Sequence, residues 1–138
     1  MLEITFEYWN KLASQTVTIS SLLGGFTIAI IANMLVSELN TKLSKTIMVS
    51  STIAACLFLI TVFAMTSVIL KTTDGYPIQI TETDFRSERL LGTLTFFLGV
   101  VSLLVIIALA GWSKSRKLGM FTTVASIATL ISIFILIS

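Results

Sequence analysis

The first candidate for chemistry is a stripe of small and polar residues. Ser21, Gly25, Ala29, Asn33 and Ser37 recur every four residues, while the rest of that stretch is largely Ile, Leu, Val and Phe. On a helix this spacing puts all five on one narrow face. Asn33 is the only amide in any long apolar segment of the chain. Burying it unsatisfied in hydrocarbon costs several kcal/mol, so it requires another polar group or water. Two uses fit the stripe. Small residues admit a neighbouring backbone, and an amide bonds across a helix pair. Alternatively, several copies turn this face towards a common axis and line a pore.

Other chemistry is excluded by what the chain lacks. It has no histidine, which removes histidine-held haem, histidine zinc sites and serine–histidine catalysis. No Asp or Glu falls within the long apolar segments, which argues against a proton relay or a small multidrug-type exporter that couples to protons. Cys56 is the lone cysteine. It cannot pair within the chain and reads as an inert packing residue. The expectation is a protein that is not an enzyme, with no cofactor, no metal site and no nucleic-acid partner.

The elements that hold these residues follow from the charge distribution. Nine basic and seven acidic residues among 138 are too few for a water-exposed surface, which normally carries about 25% charged residues. None lies within Val17–Val36, Ile47–Leu70, Leu90–Trp112 or Met120–Ile137, which are 20, 24, 23 and 18 residues long. A helix of roughly 20 apolar residues crosses about 30 Å of hydrocarbon. The expected fold is therefore all-α: one domain over 1–138, with four transmembrane helices in contact with a lipid bilayer. The first segment does not read as a cleavable signal, because it is too long and follows Glu3 and Glu7 rather than basic residues.

Ahead of the first span, Leu2, Phe6, Trp9 and Leu12 recur at helical spacing among Glu3, Glu7, Asn10 and Lys11. This predicts a short amphipathic N-terminal helix running straight into the first span, either as an interfacial anchor with Tyr8 and Trp9 near the headgroups or as an extension of that span beyond the membrane that shapes a vestibule. Spans one and two are joined by Ser37–Thr46, and spans three and four by Ser113–Gly119. Connections this short make antiparallel neighbours. Between spans two and three, Lys71–Arg89 carries a turn signal at Asp74-Gly75 and the sole proline, Pro77. There Ile78 and Ile80 alternate with polar residues as in a short strand, and Asp84 or Ser87 is placed to cap the third helix. Gly92 and Gly99 mark close helix approach. Thr122, Ser126, Thr129 and Ser132 form a hydroxyl stripe suited to packing or to bonding their own backbone. Six of the seven acidic residues share the side of the termini, either as a solvated face or as a cation-concentrating vestibule. The two short loops hold five basic residues against four on the terminal side, which leans towards termini outside the cytoplasm.

Ser20, Leu22, Leu23, Gly25 and Phe26, read as S-x-L-L-x-G-F, resemble the pore-lining first helix of the Orai calcium-channel family. Trp112 and Lys114 look like a tryptophan–x–lysine near the end of that family's third span. The resemblance implies four spans per subunit with the first helices around a pore axis. It places Thr18, Leu22, Gly25 or Phe26, Ala29 and Asn33 at pore-facing positions. Leu22 and Phe26 would then form a hydrophobic constriction, and Asn33 a polar ring near one mouth. The sequence departs from the family at three places. Asn33 stands where the family has its selectivity glutamate, Thr18 where it has a basic residue, and Ile106 where it has a third-span glutamate. An uncharged amide ring implies weak or absent calcium selectivity. The family also keeps both termini in the cytoplasm, against the charge count here.

The expected function is a homo-oligomeric ion channel or pore subunit that passes inorganic cations, in the plasma membrane of a prokaryote. The alternative is a non-conducting membrane anchor or accessory subunit that binds a protein partner through Lys71–Arg89 or the basic loops.

Overall fold

The computed structural model describes residues 6–36, 41–73, 75, 77 and 82–138. They form four helices: α1 Phe6–Val36, α2 Lys42–Thr72, α3 Arg86–Trp112 and α4 Arg116–Ile137. A 3₁₀ turn, Glu82–Phe85, leads into α3. All four helices are long and apolar enough to cross a membrane, and each contains one of the charge-free segments. The described residues include no strand. The expected strand around Ile78 and Ile80 lies outside them, as do Leu2, Glu3, Ser37 and Asp74.

Capping residues set two of the helix starts. Thr41 is in extended conformation, and its hydroxyl accepts the Ser44 N–H at 3.1 Å. Ser115 does the same for the Leu118 N–H, also at 3.1 Å. Each supplies one of the acceptors that a helix N-terminus lacks. The cap expected on α3 from Ser87 is absent, and the Asp84 side chain lies outside what is described. The α3 N-cap is Phe85, with no side-chain cap bond, and the Ser87 hydroxyl instead donates to Glu88. Gly75 has φ +92°, a left-handed conformation that glycine adopts without strain, in keeping with the turn signal there.

The N-terminal stretch is continuous with the first span, but it is not an amphipathic element of its own. Residues 6–16 are the first turns of an unbroken α1 that is 31 residues long. At about 1.5 Å per residue it spans about 46 Å, more than the hydrocarbon needs. The buried side of these turns also differs from the expected one. Leu12 is exposed and Ala13 buried. Asn10 turns inward, its Nδ2 lying 3.1 Å from the Ile69 carbonyl and from the Thr72 and Thr73 hydroxyls at the end of α2.

The helices pack in chain order, α1 on α2, α2 on α3 and α3 on α4. They form an open row instead of closing on one another. α2 is the spine. All its buried residues but Ala64, namely Ile47, Ser51, Ala54, Phe58, Thr61, Met65, Val68 and Thr72, alternate spacings of four and three, the heptad pattern of helices crossing at a shallow angle. A third of its span window is buried, against 6% for α4, so α4 meets the chain along α3 alone. Trp9, Arg89 and Ile137 meet around one cavity; Met34, Thr41 and Trp112 meet around another. The starts of α1 and α3 therefore share one end with the finishes of α2 and α4, as antiparallel neighbours require.

Glycines set the α2–α3 distance. A Cβ at Gly99 would lie 2.9 Å from the Phe58 ring, and one at Gly92 would lie 2.8 Å from Met65. Between these contacts the Thr61 and Thr95 hydroxyls are bonded at 2.7 Å. Gly111 and Gly119 do the same for α3 and α4, where a Cβ would overlap Thr122 and the Trp112 ring. Gly99→Ala should destabilise the folded chain by about 1–3 kcal/mol, the usual range for overpacking a filled contact. Phe58→Leu in the same molecule should restore part of the loss. Denaturant titration of helicity in detergent measures both, and wild-type stability for Gly99→Ala would refute the contact.

Candidate functional site

α1 carries two sets of small residues with different periods. Ala13, Ser20 and Thr27 lie seven apart, and all three are buried. Gly24 joins them, with a position for Cβ 3.4 Å from Phe58 Cβ. These residues seat α1 on α2. Thr27 satisfies its hydroxyl on the Gly24 carbonyl at 2.8 Å, whereas Ser20 Oγ is buried with no partner.

The second set is the four-residue stripe, and it faces away from the chain. Ser21, Gly25, Ala29 and Asn33 are all exposed, as are Thr18, Leu22 and Phe26. Leu22 and Phe26 show 66% and 68% of their surface, and a Cβ at Gly25 meets nothing within 4 Å. At about 100° per residue, this face lies roughly opposite the one packed on α2. Within one chain, then, the stripe is not a helix-packing face. The residue that admits a neighbour is Gly24, one position before Gly25. Asn33 lies one turn before the end of α1, and among the described residues its amide has no hydrogen-bond partner.

Beside this face is a groove between α1 and α2, lined by Ser20, Ser21, Gly24, Gly25, Cys56 and Leu59 among others. Its α1 side is mostly small residues, and Ser20 brings a spare hydroxyl. Cys56 is exposed here, so it is not the core packing residue expected from its mid-span position. Neither Ser20 nor Gly24 stood out in the sequence as a packing residue. The seven-residue spacing of Ala13, Ser20 and Thr27 was the signal that would have found them.

Most of the remaining candidates resolve into structure, except Ser126, whose Oγ is buried without a partner among the described residues. Thr129 and Ser132 bond their own backbone, to the Ala125 and Ala128 carbonyls. Thr122 reaches the Ala108 carbonyl of α3 at 3.2 Å. The Trp112 indole donates to the Thr123 hydroxyl at 2.8 Å. Ile106 is buried in the core. Of the acidic residues expected on the terminal side, Glu7 pairs with Lys11 at 3.7 Å and Glu88 with Lys71 at 2.5 Å, so these two carboxylates are neutralised. Among the described residues no three metal-ligating side chains converge.

No family model, curated protein or solved structure matches this chain. Its own geometry is therefore what bears on function. That geometry separates fold from assembly: Gly24→Leu should unfold or loosen the α1–α2 pair, whereas Gly25→Leu should leave the stability of the single chain within about 0.5 kcal/mol of wild type. Any effect of Gly25→Leu should appear only in the association of copies, read by size-exclusion chromatography with light scattering. Equal loss of helicity in both variants would contradict the assignment of faces.

Proposed function

We propose that the chain is the subunit of a homo-oligomeric ion channel, with α1 lining the conduction path, in the plasma membrane of a prokaryote. Four helices able to span a membrane fit a multi-pass membrane protein. The observation that carries the finer reading is the direction of the α1 face. A ring with α1 innermost needs α2 behind it and the lining residues in front. Thr18, Leu22, Gly25, Phe26, Ala29 and Asn33 occupy that front, exposed and opposite α2.

The residue types add support. A face turned to lipid alone gains nothing from serine, glycine or an amide, since lipid tails offer no hydrogen bonds. Around an axis, Asn33 makes a ring of carbonyl and amino dipoles near one mouth. Leu22 and Phe26 make apolar rings two to three turns further in, where a constriction closes to ions by dewetting. The groove between α1 and α2, with small residues along its α1 side, suits close approach by a helix of the neighbouring copy. An uncharged polar ring provides no carboxylate to select a divalent cation, so the reading is a cation path of low selectivity.

Asn33→Asp should place several carboxylates at one constriction, where attraction to ions grows as water thins. Divalent cations should then bind and reduce monovalent flux about tenfold or more, the change expected from about 1.4 kcal/mol of added attraction per ion. Phe26→Ser should wet the apolar ring and raise leak. Ion flux into liposomes containing purified protein reads both. Silence of wild type and both variants, with assembly intact, would sink the channel and favour a non-conducting accessory subunit that binds a protein partner.

A further inference from the structure

At the end where α1 begins and α2 finishes, α1, α2 and α3 leave a cleft of about 300 Å³, with Ile137 of α4 on its wall. Its lining is graded along α3. Arg89 stands at the rim, Thr93 one turn below, and Phe96 and Phe97 below that. These four lie on one helical face over about 12 Å. The grading follows the membrane, because α3 carries no charge between Leu90 and Trp112.

Arg89 is only partly exposed, and its guanidinium lies over the Trp9 ring, 4.2 Å from the centroid. Stacking uses the flat face of the guanidinium and leaves its in-plane N–H donors free. Among the described residues none of those donors makes a hydrogen bond or an ion pair. The carboxylate nearest in sequence, Glu88, is held by Lys71 at 2.5 Å. Arg86 and Arg89 also sit in the first turn of α3, the end of a helix that favours negative charge. On the same wall, Trp9 Nε1 is shut off from solvent with no acceptor. The cleft thus has unused donors at its mouth and an apolar, aromatic floor.

We propose that this cleft holds one anionic phospholipid, its phosphate against Arg89 and one acyl chain along Phe96 and Phe97. The guanidinium fork matches two phosphate oxygens. An anionic headgroup is preferred because a zwitterionic one carries its own cation to compete for the phosphate. Trp9 stacks the guanidinium in place at the depth where indole rings collect in bilayers. The lipid phosphate thereby supplies the counter-charge that Arg89 lacks, since Glu88 is held by Lys71, and the site is independent of whether copies of the chain form a pore.

The two tryptophans make the test direct. Trp112 lies at the other end of the chain, so Trp112→Phe leaves Trp9 as the only indole. The full chain is reconstituted in phosphatidylcholine vesicles in which a minor fraction of lipid carries brominated acyl chains, on either phosphatidylglycerol or phosphatidylcholine. At equal mole fraction, brominated phosphatidylglycerol should quench Trp9 more strongly. The difference should correspond to roughly five-fold local enrichment, the ratio expected from about 1 kcal/mol for an arginine at a membrane surface. Arg89→Gln should abolish the preference, while Arg86→Gln, exposed and outside the cleft, should retain most of it. Native mass spectrometry of the chain with Trp112 intact provides a second reading: retained phosphatidylglycerol that is lost in Arg89→Gln. Equal quenching by both headgroups, or a preference that survives Arg89→Gln, would overturn the proposal. So would Trp9 emission that neither lipid quenches and that varies with the protein-to-lipid ratio, which would put a second copy in the cleft.

Discussion

Phe58 fits where it does because α3 presents glycine to its ring, where a Cβ at Gly99 would lie only 2.9 Å away. On one side is Gly24 of α1 and on the other Gly99 of α3, and Phe58 itself is fully buried. In a bilayer this contact matters more than in water. Lipid tails are as apolar as the side chains they surround, so burying a phenylalanine between helices gains little from leaving solvent. What holds the helices is the density of dispersion contacts, and density requires a large group set into a matching gap. α2 supplies the large groups, Phe58 and Met65, and α3 supplies the gaps. The Thr61–Thr95 hydrogen bond between those contacts fixes the register of α2 against α3.

The two ends of the molecule are fastened differently. Where α1 begins, polar groups tie elements far apart in sequence: Asn10 to the end of α2, Lys71 to Glu88, Arg89 to Trp9. At the opposite end the links are local, with Thr41 and Ser115 capping helices and Trp112 folded over Gly119. Longer connections leave helix ends that need tying by side chains, while a short loop already holds its helices together. α1 depends on this arrangement. It is fixed along its back by Ala13, Ser20, Gly24 and Thr27 and near its start by Asn10, and its front is left free of the chain. A helix held in that way can present Thr18, Leu22, Phe26 and Asn33 to another copy without loosening its own fold.

Much of the architecture was legible because the bilayer imposes it. A chain with nine basic and seven acidic residues, none inside four long segments, has no route to a stable fold except four spanning helices. Short loops between them force antiparallel pairs. Gly92 and Gly99 were readable as close-contact positions, since glycine inside a helix is otherwise unfavourable. The start of α3 was not readable. Capping residues were present in the sequence, but the 3₁₀ turn before Arg86 puts Phe85 at the cap position instead.

For α1, residue spacing shows that small residues recur on the helix, but not which set turns inward. Ser21, Gly25, Ala29 and Asn33 repeat every four residues, and Ala13, Ser20 and Thr27 every seven. Local helix energetics barely distinguish the two faces, since both carry small or weakly polar side chains. Only the partner decides. Phe58 on α2 packs against the seven-residue face at Gly24, at ordinary contact distance. Cys56 shows the same limit from the other side. Its position in mid-span was legible, but its exposure was not, because in an apolar segment every face is apolar and hydropathy does not mark the lipid side. Spans and their order follow from composition. Which face meets which neighbour follows from shape, and shape exists only once the helices are packed.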